Sequence, residues 1–113
     1  MATPVEGGRR ITPHSLDLPF MFDNVTKAPQ MVGPPTEATE AMAHAMSESW
    51  LAFGRTGNPN NPAVPEWKPY DLESRSVMSF DCPPAAESDP LGAERVAMEK
   101  YPTQQLEGVL HRR

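Results

Sequence analysis

Proton transfer and nucleophilic attack near neutral pH fall first to histidine, cysteine and serine. The 113 residues contain three, one and seven of these. His44 lies on the polar flank of a helical pattern, and His111 lies near the end of the sequence. Neither is spaced as a metal ligand with the other or with Cys82, so both read as solvated surface residues. A single cysteine excludes an internal disulfide and a cysteine-rich zinc site. His14 differs. It follows Pro13 on an irregular segment, beside the densest apolar cluster of the chain: Leu16, Leu18, Phe20, Met21 and Phe22. A loop histidine held by a packed anchor is placed to act as a general base. Residue types alone favour the plainer reading, a loop histidine without a role.

A base also needs a nucleophile, an orienting carboxylate and an oxyanion hole. The sequence has no G-x-S-x-G elbow and no HGGG-type loop. The seven serines, from Ser15 to Ser88, sit in no nucleophile context. These residues alone are therefore not expected to assemble a hydrolytic site.

The elements that must position His14 are sparse. Leu, Ile, Val and Phe make up 19 of 113 residues, or 17%, where ordinary domains lie above roughly 20%. Proline and glycine number 14 and 7. That balance describes either a loosely ordered protein or a piece of a larger fold. The net charge of -5 argues against nucleic acid as a partner, which would select a basic stripe. No apolar run reaches the ~20 residues of a membrane helix. The opening MATPVEGGRR lacks an apolar signal core, so a cytoplasmic location is the default expectation and localisation is otherwise unread.

Residues 2–12 read as the end of a strand and a turn around Gly7-Gly8. Pro19 interrupts the apolar cluster over 13–26 and argues against a regular central strand there. Residues 36–53 predict one long helix, capped by Thr36, with Glu37 and Glu40 near its positive end. Ala38, Met42, Ala45, Met46, Trp50 and Phe53 trace its apolar face. Gly54 or Gly57 ends it. Residues 56–72 form a proline-rich loop holding Trp67 and Tyr70. Residues 75–81 predict a short strand with Met78 and Phe80 on one face. Pro83-Pro84 and Asp89-Pro90 read as breaks, residues 91–101 as a short helix gathering Leu91, Val96 and Met98, and the rest as a frayed tail.

Three blocks resemble one family. TPVEGGRRITPHSLDLPFMFDNV is similar to the segment around the catalytic histidine of type-B carboxylesterases. WLAFGRTGNPNNPAVPEWKPYD resembles their W-x-x-F-A-R-T-G-N-P-N and W-P-x-Y-D elements, and RSVMSFD their late strand. All three stand in register across residues 3–81. The resemblance implies an α/β fold class: the C-terminal piece of an α/β-hydrolase fold, with one long helix, one or two short strands and long Pro-rich loops, not a complete domain. Residues 1–81 would belong to the esterase domain and 82–113 to a C-terminal extension.

It further implies hydrolysis of carboxylic esters by a Ser–Glu–His triad. The triad runs nucleophile, acid, histidine along the chain, so His14 would be the one member present here. The substrate would be a small-molecule ester, bound together with an N-terminal region. Triad chemistry requires no cofactor and no metal. Two departures stand out: Ser15 replaces the common glycine after the histidine, and Asp17 a frequent glutamate. Asp17 reads either as a supporting carboxylate or as a plain turn residue. Arg55 and the Gly57-Asn58-Pro59-Asn60 turn are assigned to architecture, Trp67 and Tyr70 to packing. Asn24-Val25-Thr26 fits a glycosylation pattern without other support. Some members of the superfamily are non-catalytic interaction proteins, and that, or a truncated remnant, is the alternative reading.

Overall fold

The computed structural model describes residues 2–101. The order is a 3-10 turn at Val5–Gly8, α1 (Leu18–Met21), a 3-10 turn at Val25–Lys27, α2 (Pro29–Val32), α3 (Glu37–Thr56), β1 (Ser76–Ser79), β2 (Ala85–Ser88) and α4 (Gly92–Met98). Residues 2–12 hold no strand, contrary to the reading of that segment. Glu6 and Gly7 both take left-handed backbone angles there, which curl the chain too tightly for extended pairing.

The 13–26 cluster becomes one helical turn rather than a strand. Pro19 sits at the start of α1, where its missing N–H would have had no partner in any case. The Asp17 carbonyl accepts the N–H groups of Phe20 and Met21 at 3.0 and 2.9 Å. The turn drives Leu16 and Phe20 inward, against Val25, Ala28, Val32, Met42 and Ala43. That group is the core around which the first half of the chain is built, with Met31, Met46 and Phe80 half-buried against it.

α3 begins where its cap predicts. The Thr36 hydroxyl accepts the Thr39 N–H at 3.2 Å, and the Thr39 hydroxyl accepts the Thr36 N–H at 2.8 Å. This reciprocal box satisfies two donors that the first helical turn would otherwise leave unpaired. Thr36→Ala is expected to cost about 1 kcal/mol, read as a lower urea midpoint in far-UV circular dichroism, with Thr36→Ser near wild type. The helix ends at Gly57, φ 75°, whose N–H donates to the Phe53 carbonyl at 2.8 Å. Gly57 rather than Gly54 is the stop because the terminating residue must enter the left-handed region.

The expected apolar stripe of α3 divides in two. Met42 and Ala45 are buried and Met46 is half-buried, whereas Trp50 and Phe53 are 52% and 53% exposed. Thr39, Ala43 and Ser49 are buried too. Ser49 is tolerated because its hydroxyl donates to the Ala45 carbonyl at 2.8 Å and accepts from Asn61 Nδ2 at 3.0 Å.

Asn side chains brace the following loop. Asn60 Nδ2 donates to the Trp67 carbonyl at 2.8 Å, and Asn60 Oδ1 accepts the Trp67 N–H at 2.7 Å. The pair mimics a strand bridge and turns Trp67 edge-on to Phe80, with ring centroids 6.0 Å apart. Asn58-Pro59-Asn60-Asn61 is thus architectural.

β1 covers four of the seven residues expected to be strand and pairs antiparallel with β2, Ser76 opposite Ser88 and Ser79 opposite Ala85. β2 falls in a segment read as a break. Its sequence, AAES, lacks β-branched residues, so pairing rather than propensity makes it a strand. α4 forms as expected, but Leu91, Val96 and Met98 stay more than half exposed.

Arg95 on α4 donates from Nη2 to Asp89 Oδ2 at 2.7 Å and also pairs with Glu99. The Arg95 hydrogen bonds, and then its charge, hold the Asp89 carboxyl below the usual carboxylate range. A depressed folded pKa stabilises above the unfolded value and is lost as pH falls through the folded one. Acid below the ordinary carboxylate range is therefore expected to loosen α4. Asp89→Asn should flatten that part of the stability–pH curve.

The Cα radius of gyration is 17.5 Å, against about 13 Å for a compact domain of 100 residues. One long helix, a two-stranded sheet and proline-rich loops spread over that span rather than closing around a single core.

Candidate functional site

His14 lies on the turn that leads from the 3–12 loop into α1, and its side chain is exposed. The chain is anchored on both sides of it. On the C-terminal side, the Leu16 N–H donates to the Pro13 carbonyl at 3.2 Å, and the Leu16 side chain is only 5% exposed. On the N-terminal side, the Ile11 carbonyl accepts the Thr3 N–H at 2.8 Å. Two residues of this turn are strained. Ile11 has φ 51° and Ser15 φ 66°. For a β-branched residue such as Ile11 a positive φ is a true outlier. Left-handed non-glycine residues cost about 1–3 kcal/mol each and persist only where their surroundings impose them. Ser15 occupies the position noted above for its missing glycine, and glycine takes this φ without cost.

The imidazole receives no side-chain hydrogen bond from any described residue. It faces outward from a turn whose backbone is held at both ends.

Two apolar grooves follow one another along α3, the first of them beside the His14 turn. The smaller, about 110 Å³, is lined by Thr12, Leu16, Asp17, Phe20, Met42, Met46 and Phe80. The larger, about 280 Å³, is lined by Met46, Ser49, Trp50, Phe53, Pro59, Trp67 and Phe80. Met46 and Phe80 belong to both, so apolar surface runs from the His14 turn to the far end of α3. Asp17 reaches this surface but is exposed. Its carbonyl, rather than its carboxylate, starts α1.

The remaining candidates lie apart from this turn. His44 is exposed on α3, and His111 lies outside the described residues. Burial, and then the charge of Asp81, push the Cys82 thiol up, away from the thiolate a nucleophile would need. Among the described residues no three His, Cys, Asp or Glu side chains group as a metal site. No helix there is long and apolar enough to cross a membrane. Tyr70 accepts a hydrogen bond from Arg75 Nη1 at 3.3 Å, a contact its spacing did not announce.

Comparison with known proteins gives this geometry its context. The carboxylesterase family model matches residues 4–99. The para-nitrobenzyl esterase of Bacillus subtilis is 32% identical over 83 residues, which are 73% of this chain and 17% of that protein. A solved Geobacillus stearothermophilus carboxylesterase superposes with a TM-score of 0.66 at 38% identity, over 74% of this chain and 18% of the other. A solved PNB esterase gives a TM-score of 0.67 at 31% identity, over 74% and 17%.

The elements and their order thus define a part of an α/β-hydrolase fold. The chain belongs to the carboxylesterase family. It spans about a sixth of the length of the relatives it matches.

Proposed function

We propose that the protein carrying this chain hydrolyses small carboxylic esters through an acyl-serine intermediate, with His14 as its general base and acid. His14 takes the proton of a serine hydroxyl as the serine oxygen bonds to the ester carbonyl carbon. It then delivers that proton to the departing alkoxide as the acyl carbon–oxygen bond breaks. In the second half, His14 takes a proton from water, whose oxygen attacks the acyl-serine, and returns it to the serine. The serine, the acid that orients the imidazole and the oxyanion hole come from residues outside these 113, and so do most contacts with the acyl and alcohol groups.

One observation carries this reading: within the family-matched segment, the histidine stands exposed on a strained turn that is clamped at both ends. Left-handed backbone at non-glycine residues persists only where the surroundings impose it, and functional turns are one place where it gathers, though Asp23, Arg75 and Asp89 share it away from the histidine. Removal of the imidazole in the full-length protein, with ester turnover as the readout, is the test.

A further inference from the structure

We infer that Thr3 is a positioning residue for His14, acting through the Ile11 carbonyl. The catalytic meaning of this inference rests on the base assigned to His14 above; its geometry does not. Thr3 is a polar residue only 3% exposed. Its N–H donates to Ile11 at 2.8 Å and its hydroxyl to the Met31 carbonyl at 2.6 Å, while the hydroxyl oxygen accepts the Val5 N–H at 3.3 Å. One side chain therefore fastens the start of the 3–12 loop to α2, and its backbone fastens the end of the same loop.

The loop between these points closes on itself. The Gly8 N–H donates to the Pro4 carbonyl at 3.2 Å, and the Ile11 N–H to the Gly8 carbonyl at 3.1 Å. Arg9 and Arg10 both pair with Glu6. Pro4 rests against Gly33 so closely that a Cβ on Gly33 would meet Pro4 Cγ at 2.6 Å. The packing of Thr3 and Pro4 on Met31–Gly33 thus sets where Ile11 can lie. Ile11 has the left-handed φ that a β-branched residue avoids, and the Thr3 bond to its carbonyl and its own N–H bond to Gly8 hold it there. From Ile11 only Thr12 and Pro13 separate that clamp from His14, and Pro13 has a fixed φ. A displacement at Thr3 therefore reaches the His14 backbone across two residues.

The test uses the full 113-residue chain labelled with nitrogen-15 at histidine, which gives three backbone amide signals. His14→Gln assigns the first and His44→Gln the second. Thr3→Val keeps the shape and removes the hydroxyl bonds. It is expected to shift the His14 amide and lower its heteronuclear NOE, with His44 unmoved; Thr3→Ser should restore both. If Thr3→Val disturbs His14 and His44 together, Pro4→Ala decides: Pro4 is exposed and its backbone angles suit alanine, so the change withdraws the ring from Gly33 without backbone strain. A change confined to His14 supports the inference, and an unmoved His14 overturns it.

In the full-length protein, Thr3→Val should lower kcat at least tenfold per titrated active site with KM unchanged, since small misplacements of a reacting group are costly. Unchanged turnover per site would overturn the inference even if less protein folds. If His14→Gln leaves ester turnover intact, the base assignment fails while the amide signals still decide whether Thr3 places His14.

Discussion

Replacing His14 with glutamine in the full-length protein is expected to lower kcat for a para-nitrobenzyl ester by about 10^4- to 10^6-fold, the scale seen when a triad histidine is removed. KM should change little, because the imidazole acts on a proton in flight rather than on the bound ester. In the 113-residue chain alone, stability should hardly change: the side chain is exposed there and receives no side-chain hydrogen bond from the described residues, so its loss removes neither packing nor a buried bond. That separation gives the measurement its force: thermal midpoint of this chain constant, KM constant, kcat gone. Activity retained within tenfold would remove His14 from the chemistry. A wild-type protein without ester turnover would instead align this chain with the members of its superfamily that keep the fold and have lost the reaction.

The long helix and the loop after it are legible in the sequence because they rest on local rules. Thr36 announces the start of α3 by its type and by the glutamates that follow. Two glycines, Gly54 and Gly57, announce the end, and the left-handed φ of Gly57 selects between them. Arg55 and the Gly57-Asn58-Pro59-Asn60 turn read as architecture, and Asn60 does brace Trp67. Three features were not legible, and each depends on contacts distant in sequence. β2 is a strand only because β1 lies beside it. The α3 stripe was read as a single face. Periodicity reports that residues share a side, not which part of that side this chain covers. The N-terminal segment covers Met42 and leaves Trp50 and Phe53 open.

Thr3 is the third case. Nothing in its type or spacing distinguishes it from Thr12 or Thr26, since its importance lies in a carbonyl 28 residues away. The histidine stood out by its neighbours, but the geometry that holds it came from a residue with no signature.

The same limit governs the largest stability effect. Phe20→Ala is expected to destabilise the chain by about 3–5 kcal/mol, while Phe22→Ala, two residues on, should cost about 0.5 kcal/mol or less. The run Leu18-Pro19-Phe20-Met21-Phe22 offers no reason in its types to separate the two. The helical turn of α1 does so. Phe20 is 5% exposed among Leu16, Val25, Val32 and Met42, whereas Phe22 is 68% exposed.

Leu16, Phe20, Val25, Ala28, Val32, Met42 and Ala43 make up the buried core of the first half of the chain, so the loss of the Phe20 ring removes its largest member. Urea unfolding of the 113-residue chain, followed by far-UV circular dichroism, checks both variants. A cooperative transition in wild type and Phe22→Ala that is nearly lost in Phe20→Ala is the expected pattern. Equal effects would mean that the core does not turn on α1. The consequence also reaches His14. Phe20 and Leu16 form the inner side of the turn whose outer side carries the imidazole, so Phe20→Ala should release the C-terminal anchor of His14 as it weakens the fold. Its activity should therefore fall further than the folded fraction alone predicts, whereas Phe22→Ala should alter neither.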